Sequence, residues 1–187
     1  MEEKVDVPYI PNSIVGYHGT SVQRAMDDLR SGRVHKSIHS GDWLGHGAYF
    51  WEGDMEHAVK WAKGRYGADS AVLKAKINLS RCLDLSVSLH TRLLKVAYDK
   101  FCQRSMKEHK AVPVNSGEDH NLDCCVVNYL AKELMNLDTI RAPFYEGQPV
   151  FPGSKILDLS HIQVVVLNDS CLSEQPTLVY GRLEKSE

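Results

Sequence analysis

From Ala71 onward the chain alternates: Ala71, Leu73, Ala75, Ile77 and Leu79 are apolar, with Lys74, Lys76 and Asn78 between them. A period of two puts the apolar set on one face, so this segment predicts a half-buried strand, continued in extended form by Leu83 and Leu85. Elsewhere the period is helical. Val22, Ala25, Met26 and Leu29 predict a first helix that begins at a Thr20 or Ser21 N-cap and stops at Gly32. Asp54 caps a second, carrying Met55, Ala58, Val59, Trp61 and Ala62. Leu89, Leu93, Val96, Ala97 and Phe101 make a third, and Leu122, Cys125, Val126, Tyr129, Leu130 and Leu134 a fourth. Short extended segments are expected around Val15 and over 47–51, 140–144, 155–157, 162–167 and 177–183. Residues 34–42 and 112–120 read as loops, and Pro143, Gly147, Pro149, Pro152 and Gly153 punctuate a longer one. Strands and helices do not alternate regularly, which predicts an α+β fold rather than a doubly wound parallel sheet.

Composition narrows this only slightly. A chain of 187 residues, 43% hydrophobic and 25% charged, is expected to form one domain spanning 1–187. A net charge of -2 gives no electrostatic case for nucleic acid or an anionic membrane as an obligatory partner. The basic residues Arg24, Arg30, Arg33 and Lys36 read as a solvated helix face. Five cysteines, Cys82, Cys102, Cys124, Cys125 and Cys171, form no C-x-x-C, and adjacent Cys124 and Cys125 suit no unstrained disulfide. Reduced thiols, no basic and apolar leader in residues 1–6, and no apolar run of roughly 18 residues predict a cytoplasmic, non-membrane protein.

The candidate chemistry lies elsewhere. Neither G-x-G-x-x-G nor a Walker loop is present, and no G-x-S-x-G elbow or well-placed cysteine supplies a nucleophile. His35, His39 and His46 are close in sequence but sit in loop, without H-E-x-x-H, so no metal is expected. Two segments remain: Gly16-Tyr17-His18-Gly19-Thr20 and Gly45-His46-Gly47-Ala48-Tyr49-Phe50. Each sets an aromatic and an imidazole among glycines. Glycine permits close backbone approach, and His and Tyr supply polar and stacking contacts, so together they predict a cleft for a planar, polar ligand.

These two motifs, in this order and each followed by a helix, resemble the ADP-ribosyltransferase superfamily on its diphtheria-toxin-like and poly(ADP-ribose)-polymerase-like branch. The detailed resemblance covers residues 15–62. It implies a split β-sandwich of two small sheets with flanking helices, and NAD+ as substrate. It also implies a binding set of Tyr17, His18, Gly19, Thr20, Tyr49 and Trp61. His18 would hold a ribose hydroxyl, the Gly19 main chain the nicotinamide carboxamide, and Tyr49 and Trp61 the faces of the nicotinamide ring. A cation between aromatic faces gains about 0.5–2 kcal/mol per good contact.

The resemblance further implies a glutamate on a late strand, and by pattern Gln163 stands in its place, making a His-Tyr-Gln variant of the family's His-Tyr-Glu. An amide orients a hydroxyl but lacks the charge that stabilises a developing cation. Glu146, in the preceding loop, is the carboxylate best placed to substitute, and Phe144 and Tyr145 are the acceptor-recognition candidates. The implied function is NAD+-dependent mono-ADP-ribosyl transfer to a protein or nucleic-acid acceptor. Small size aligns it with bacterial toxin or phage-defence members, which an antitoxin or inhibitor protein would block. Two alternatives stand beside it. One is a non-catalytic NAD+ or ADP-ribose-binding module. The other is an RNA-acting enzyme on the same fold, with Arg24, Arg33, Lys36 and Arg65 lining the cleft.

Overall fold

The local signals start the elements where expected. Ser21 Oγ accepts from the Arg24 N–H at 3.3 Å and opens α1 (Val22–Ser31), which ends at Gly32 with φ 68°. Asp54 accepts from the His57 N–H at 2.9 Å and opens α2 (Met55–Tyr66). The computed structural model describes residues 12–117 and 119–182, so the leader expectation for residues 1–6 and the strand position at Leu183 lie outside the described residues. The remaining helices are α3 (Ser88–Lys107) and α4 (Asn121–Tyr129); the helical path then widens into a π-turn over Leu130–Leu134. The strands are β1 (Ser13–Ser21), β2 (Ala48–Glu52), β3 (Ser70–Asn78), β4 (Cys82–Asp84), β5 (Thr139–Phe144), β6 (His161–Val166) and β7 (Thr177–Tyr180). The segment 155–157 is not a strand. Leu157 makes only an isolated bridge to Pro149, because the Pro149, Pro152 and Gly153 turn cannot sustain a ladder.

The result is a mixed α+β fold. Among the described residues the strands hydrogen bond as one open sheet in the order β4-β5-β6-β2-β1-β3-β7, where two small sheets were expected. All neighbours are antiparallel except β4 and β5. The sheet is continuous because β1 belongs to both halves. It pairs with β3 along its full length, Ser13 opposite Asn78 to Ser21 opposite Ser70, but with β2 only at Gly16 and Tyr17.

Both faces are covered. On one face Phe50, Ile77, Val164 and Val166 form a core beside the α1 contacts of Ala71 and Leu73. On the other, α2 packs on Trp51 and Val72, while Val126, Val127 and Leu130 pack on Ile140 and Val165. The entry to β2 is tight: a Cβ on Gly47 would lie 2.3 Å from Val165 Cγ1 and 2.9 Å from the Val166 carbonyl. Only glycine lets the chain press this closely on β6.

Arg141 ties three strands together. Its guanidinium donates to Glu52 at 2.7 and 3.1 Å and to Asp84 at 2.9 Å, joining β5 to β2 and β4. Residues 140–144 are strand, matching the extended segment predicted there, and the chain leaves the sheet at Tyr145.

Candidate functional site

The short β1–β2 pairing creates the site. The Val15 carbonyl accepts from the Gly53 N–H at 2.9 Å, so the main chain of Val15 faces β2. Main-chain polarity alternates along a strand, so Tyr17 and Gly19 face the same way. Pairing ends at Tyr17 opposite Trp51, and the next partner for Gly19 would be Tyr49. There the His18 imidazole intervenes: Nδ1 donates to the Tyr49 carbonyl at 2.8 Å. The side chain takes the place of a ladder bond. It holds the strands apart and leaves the Gly19 N–H and C=O on an open strand edge.

A cleft of about 1040 Å³ opens at this split, with His18, Gly19, Thr20, Tyr49 and Trp61 in its lining. Burial pulls the His18 imidazole below its ordinary pKa, against the raising effects of the Tyr49 carbonyl and Asp28. The ring is therefore neutral at neutral pH. With Nδ1–H committed to Tyr49, Nε2 is a hydrogen-bond acceptor, suited to a hydroxyl. The Tyr49 hydroxyl is consumed by the fold: it donates to the Gly45 carbonyl at 2.8 Å and accepts from the Leu44 N–H at 3.1 Å. Burial raises its pKa well above the ordinary value, so the phenol stays neutral and offers its ring face rather than a proton.

Gly19 is required by its neighbours as well as by any ligand. A Cβ there would meet the Ala58 carbonyl at 2.9 Å and Trp61 at 3.0 Å, so its absence lets α2 lower Trp61 over the open strand edge. Beside Trp61, Tyr66 stacks edge-on at 6.0 Å and the Arg65 guanidinium lies 5.8 Å from the indole. Arg24 reaches Tyr66 Oη at 3.4 Å. Arg24, Arg30, Arg33 and Lys36 are all exposed, as the solvated-face reading has it, but Arg24 and Lys36 also line the cleft together with Arg65, while Arg30 and Arg33 do not. Lys36 is committed to Asp169 at 2.8 Å, and Arg33 turns toward the same carboxylate at 4.0 Å. His35 joins them, its Nδ1 and N–H both bonded to the buried Asp28 carboxylate.

At the opposite end, on β6, Gln163 is clamped. Its Oε1 accepts from the Trp43 indole N–H at 3.2 Å and its Nε2 donates to His161 Nε2 at 3.0 Å. The indole is only a donor, so the amide orientation is fixed. His161 in turn donates from Nδ1 to the Leu159 carbonyl at 2.8 Å, which fixes its tautomer. His57 stacks on Trp51 at 5.9 Å and lies 4.3 Å, ring to ring, from His161. Glu146 lines the same end.

Thus His18, Tyr49 and Gln163 stand on the adjacent strands β1, β2 and β6 and meet one cleft with Gly19, Thr20, Trp61 and Glu146. Three expected residues are placed otherwise. Tyr17 packs against the Trp51, Ala58 and Val72 cluster under α2 and does not line the cleft, because its side chain is used as core. Phe144 stacks on Trp43 at 3.9 Å and so supports the lining from behind. Tyr145 is 77% exposed and outside the lining. Trp43, His161, His57 and the Asp28–His35 pair are additions that sequence reasoning missed. Their partners are remote in the chain, and only the N-cap at Asp54 pointed toward His57.

Comparison with family models, with curated proteins and with solved structures found no match.

The cleft's own chemistry is accordingly the basis for any functional reading. Among the described residues no group of three or more His, Cys, Asp or Glu side chains is arranged to hold a metal ion, and no helix is long and apolar enough to cross a membrane. All five cysteines are free. Burial pushes the Cys82 and Cys124 thiols up to about 11, so neither is a ready thiolate nucleophile at neutral pH.

Proposed function

We propose that the chain binds NAD+ in the split between β1 and β2 and transfers its ADP-ribose to an acceptor. The fold would then be the ADP-ribosyltransferase-like split sandwich, opened at β1–β2. The observation that carries the reading is the His18–Tyr49 bond, which frees one amide N–H and one carbonyl of Gly19 side by side. A carboxamide needs that donor and acceptor pair. Tyr49 and Trp61 supply apolar faces for the pyridinium ring, and the neutral His18 accepts from a ribose hydroxyl. Arg24 and Arg65 give cationic partners for the diphosphate at the same end. The cleft volume suits a dinucleotide.

In this reaction the bond between ribose C1′ and the nicotinamide nitrogen breaks, and its electron pair leaves with nicotinamide. Positive charge develops on the ribose as an acceptor nucleophile forms the new bond to C1′ and gives up its proton. Gln163, held by Trp43 and His161, orients a ribose hydroxyl without supplying charge. The test is incubation with NAD+ labelled in the adenylate phosphate and a cell lysate, followed by separate protease and nuclease digestion. Transfer of label into one digestible class, with stoichiometric nicotinamide release, is expected. Neither transfer nor release, at any lysate concentration, would overturn the proposal.

A second reading is favoured by the clamp itself. Because both ends of the Gln163 amide are bonded and uncharged, a binding module for NAD+ would need no further change. It predicts saturable NAD+ binding with no nicotinamide release, which the same assay separates from transfer.

A further inference from the structure

Resting on the transferase reading above, we infer that His57 is the general base that takes the proton from the acceptor nucleophile. The nucleophile enters opposite the leaving group. With nicotinamide held at Gly19 on β1 and the ribose reaching Gln163 on β6, the acceptor comes in at the β6 end of the cleft. The proton it sheds needs a basic atom there, and a carboxamide is not one.

The titratable side chains lining that part of the cleft include Glu146, His161 and His57, and beyond Trp43 also His120, 5.2 Å from the indole, with Asp42 and Asp119. His161 has no spare nitrogen, since Nδ1 donates to the Leu159 carbonyl and Nε2 accepts from Gln163. His57 has one. Its Nδ1 lies 3.5 Å from Asp54 Oδ2, and Nε2 makes no protein hydrogen bond among the described residues. The carboxylate beside Nδ1 favours the proton there and leaves the Nε2 lone pair for the acceptor, the arrangement of a carboxylate-oriented imidazole base. The ring stacks on Trp51 at 5.9 Å and 15° and lies against the tilted His161 ring at 4.3 Å. Such packing fixes its aim.

The charged neighbours of His57 are Asp54 and Lys60 on its own cap and helix, Glu146 from the loop after β5, and His161 on β6. Burial, followed by His161 and then Lys60, lowers its pKa below the ordinary histidine value, against Asp54 and Glu146. The imidazole is therefore unprotonated at neutral pH and takes the proton directly. Subsequent release to solvent resets it, since the site opens to water.

The experiment compares wild type, His57→Gln, His57→Ala and Glu146→Gln in the labelled-NAD+ transfer assay from pH 5 to pH 9, with NAD+ affinity measured in parallel. Wild-type transfer is expected to fall on the acid side as His57 protonates, with the limb below pH 6.5. His57→Gln should lose about 10²–10⁴-fold in transfer and lose the acid limb, while NAD+ affinity changes less than about threefold. Added imidazole should partly restore transfer by His57→Ala, an effect that a purely structural role would not produce. Transfer by His57→Gln within threefold of wild type, or the full loss appearing in Glu146→Gln instead, would overturn the assignment while leaving the transferase reading intact. A wild type that releases no nicotinamide would overturn both.

Discussion

Replacing Arg141 by alanine is expected to destabilise the protein by about 3–5 kcal/mol, the range for removing one partner of a buried charge network. Arg141 stands on β5, yet it reaches across β6 to Glu52 on β2 and also holds Asp84 on β4. The side chains are largely dry: Arg141 is 12% exposed, Glu52 18% and Asp84 3%. The hydrogen bonds to Glu52, then the charges of Glu52 and Asp84, raise the guanidinium's pKa further, so Arg141 stays charged. Alanine leaves two carboxylates facing one another with no cation between them. Against a typical stability of about 5–15 kcal/mol, that loss is large. Thermal and urea unfolding should report it as a drop of roughly 6–20 °C in Tm. Lysine should restore only part, because a single ammonium cannot reproduce the two-pronged contact to Glu52. A Tm within about 2 °C of wild type would show that water already relieves the pair.

The second large effect is expected at His18. Replacement by alanine removes the donor to the Tyr49 carbonyl and the wedge between β1 and β2 together. The freed carbonyl can then pair with the Gly19 N–H, extending the ladder past Tyr17 and closing the split. Such pairing would offset much of the roughly 1–3 kcal/mol cost of an unsatisfied buried carbonyl. Stability should therefore change little, while NAD+ affinity falls about 100-fold or more, equivalent to roughly 2.7 kcal/mol. Hydrogen exchange distinguishes this from simple loss of a contact: the Gly19 amide should become more protected in the variant. Unchanged exchange at Gly19, together with wild-type affinity, would contradict the wedge role of His18.

What could be read from the chain depended on whether the cause was local. The alternation through Ala71 to Leu79, the caps at Ser21, Asp54 and Gly32, and the spacing of Leu89 to Phe101 are short-range signals, and each element formed. The glycine-flanked segments lie together because β1 and β2 are neighbours. Long-range causes were hidden. Sheet continuity depends on how many rungs β1 shares with β2, and only two are paired, because a side chain takes the next acceptor. The clamp on Gln163 joins Trp43 to a position 120 residues later, a relation no local pattern encodes. Tyr17 looked like a ligand contact from its neighbours His18 and Gly19. Alternation along β1 instead turns its side chain into the α2 core. His57 was hidden by its helix, where an N-terminal histidine reads as solvated until Trp51 and His161 are known to lie beside it.

The most direct test uses the protein's own tryptophans. All three, Trp43, Trp51 and Trp61, line the cleft. Tryptophan emission should therefore change saturably as NAD+ is titrated to about 1 mM, the upper end of ordinary substrate affinities. If the split between β1 and β2 is the nicotinamide site, nicotinamide should compete with NAD+ and His18→Ala should abolish the change. An emission spectrum that NAD+ leaves unaltered, or one altered equally in wild type and His18→Ala, would contradict it.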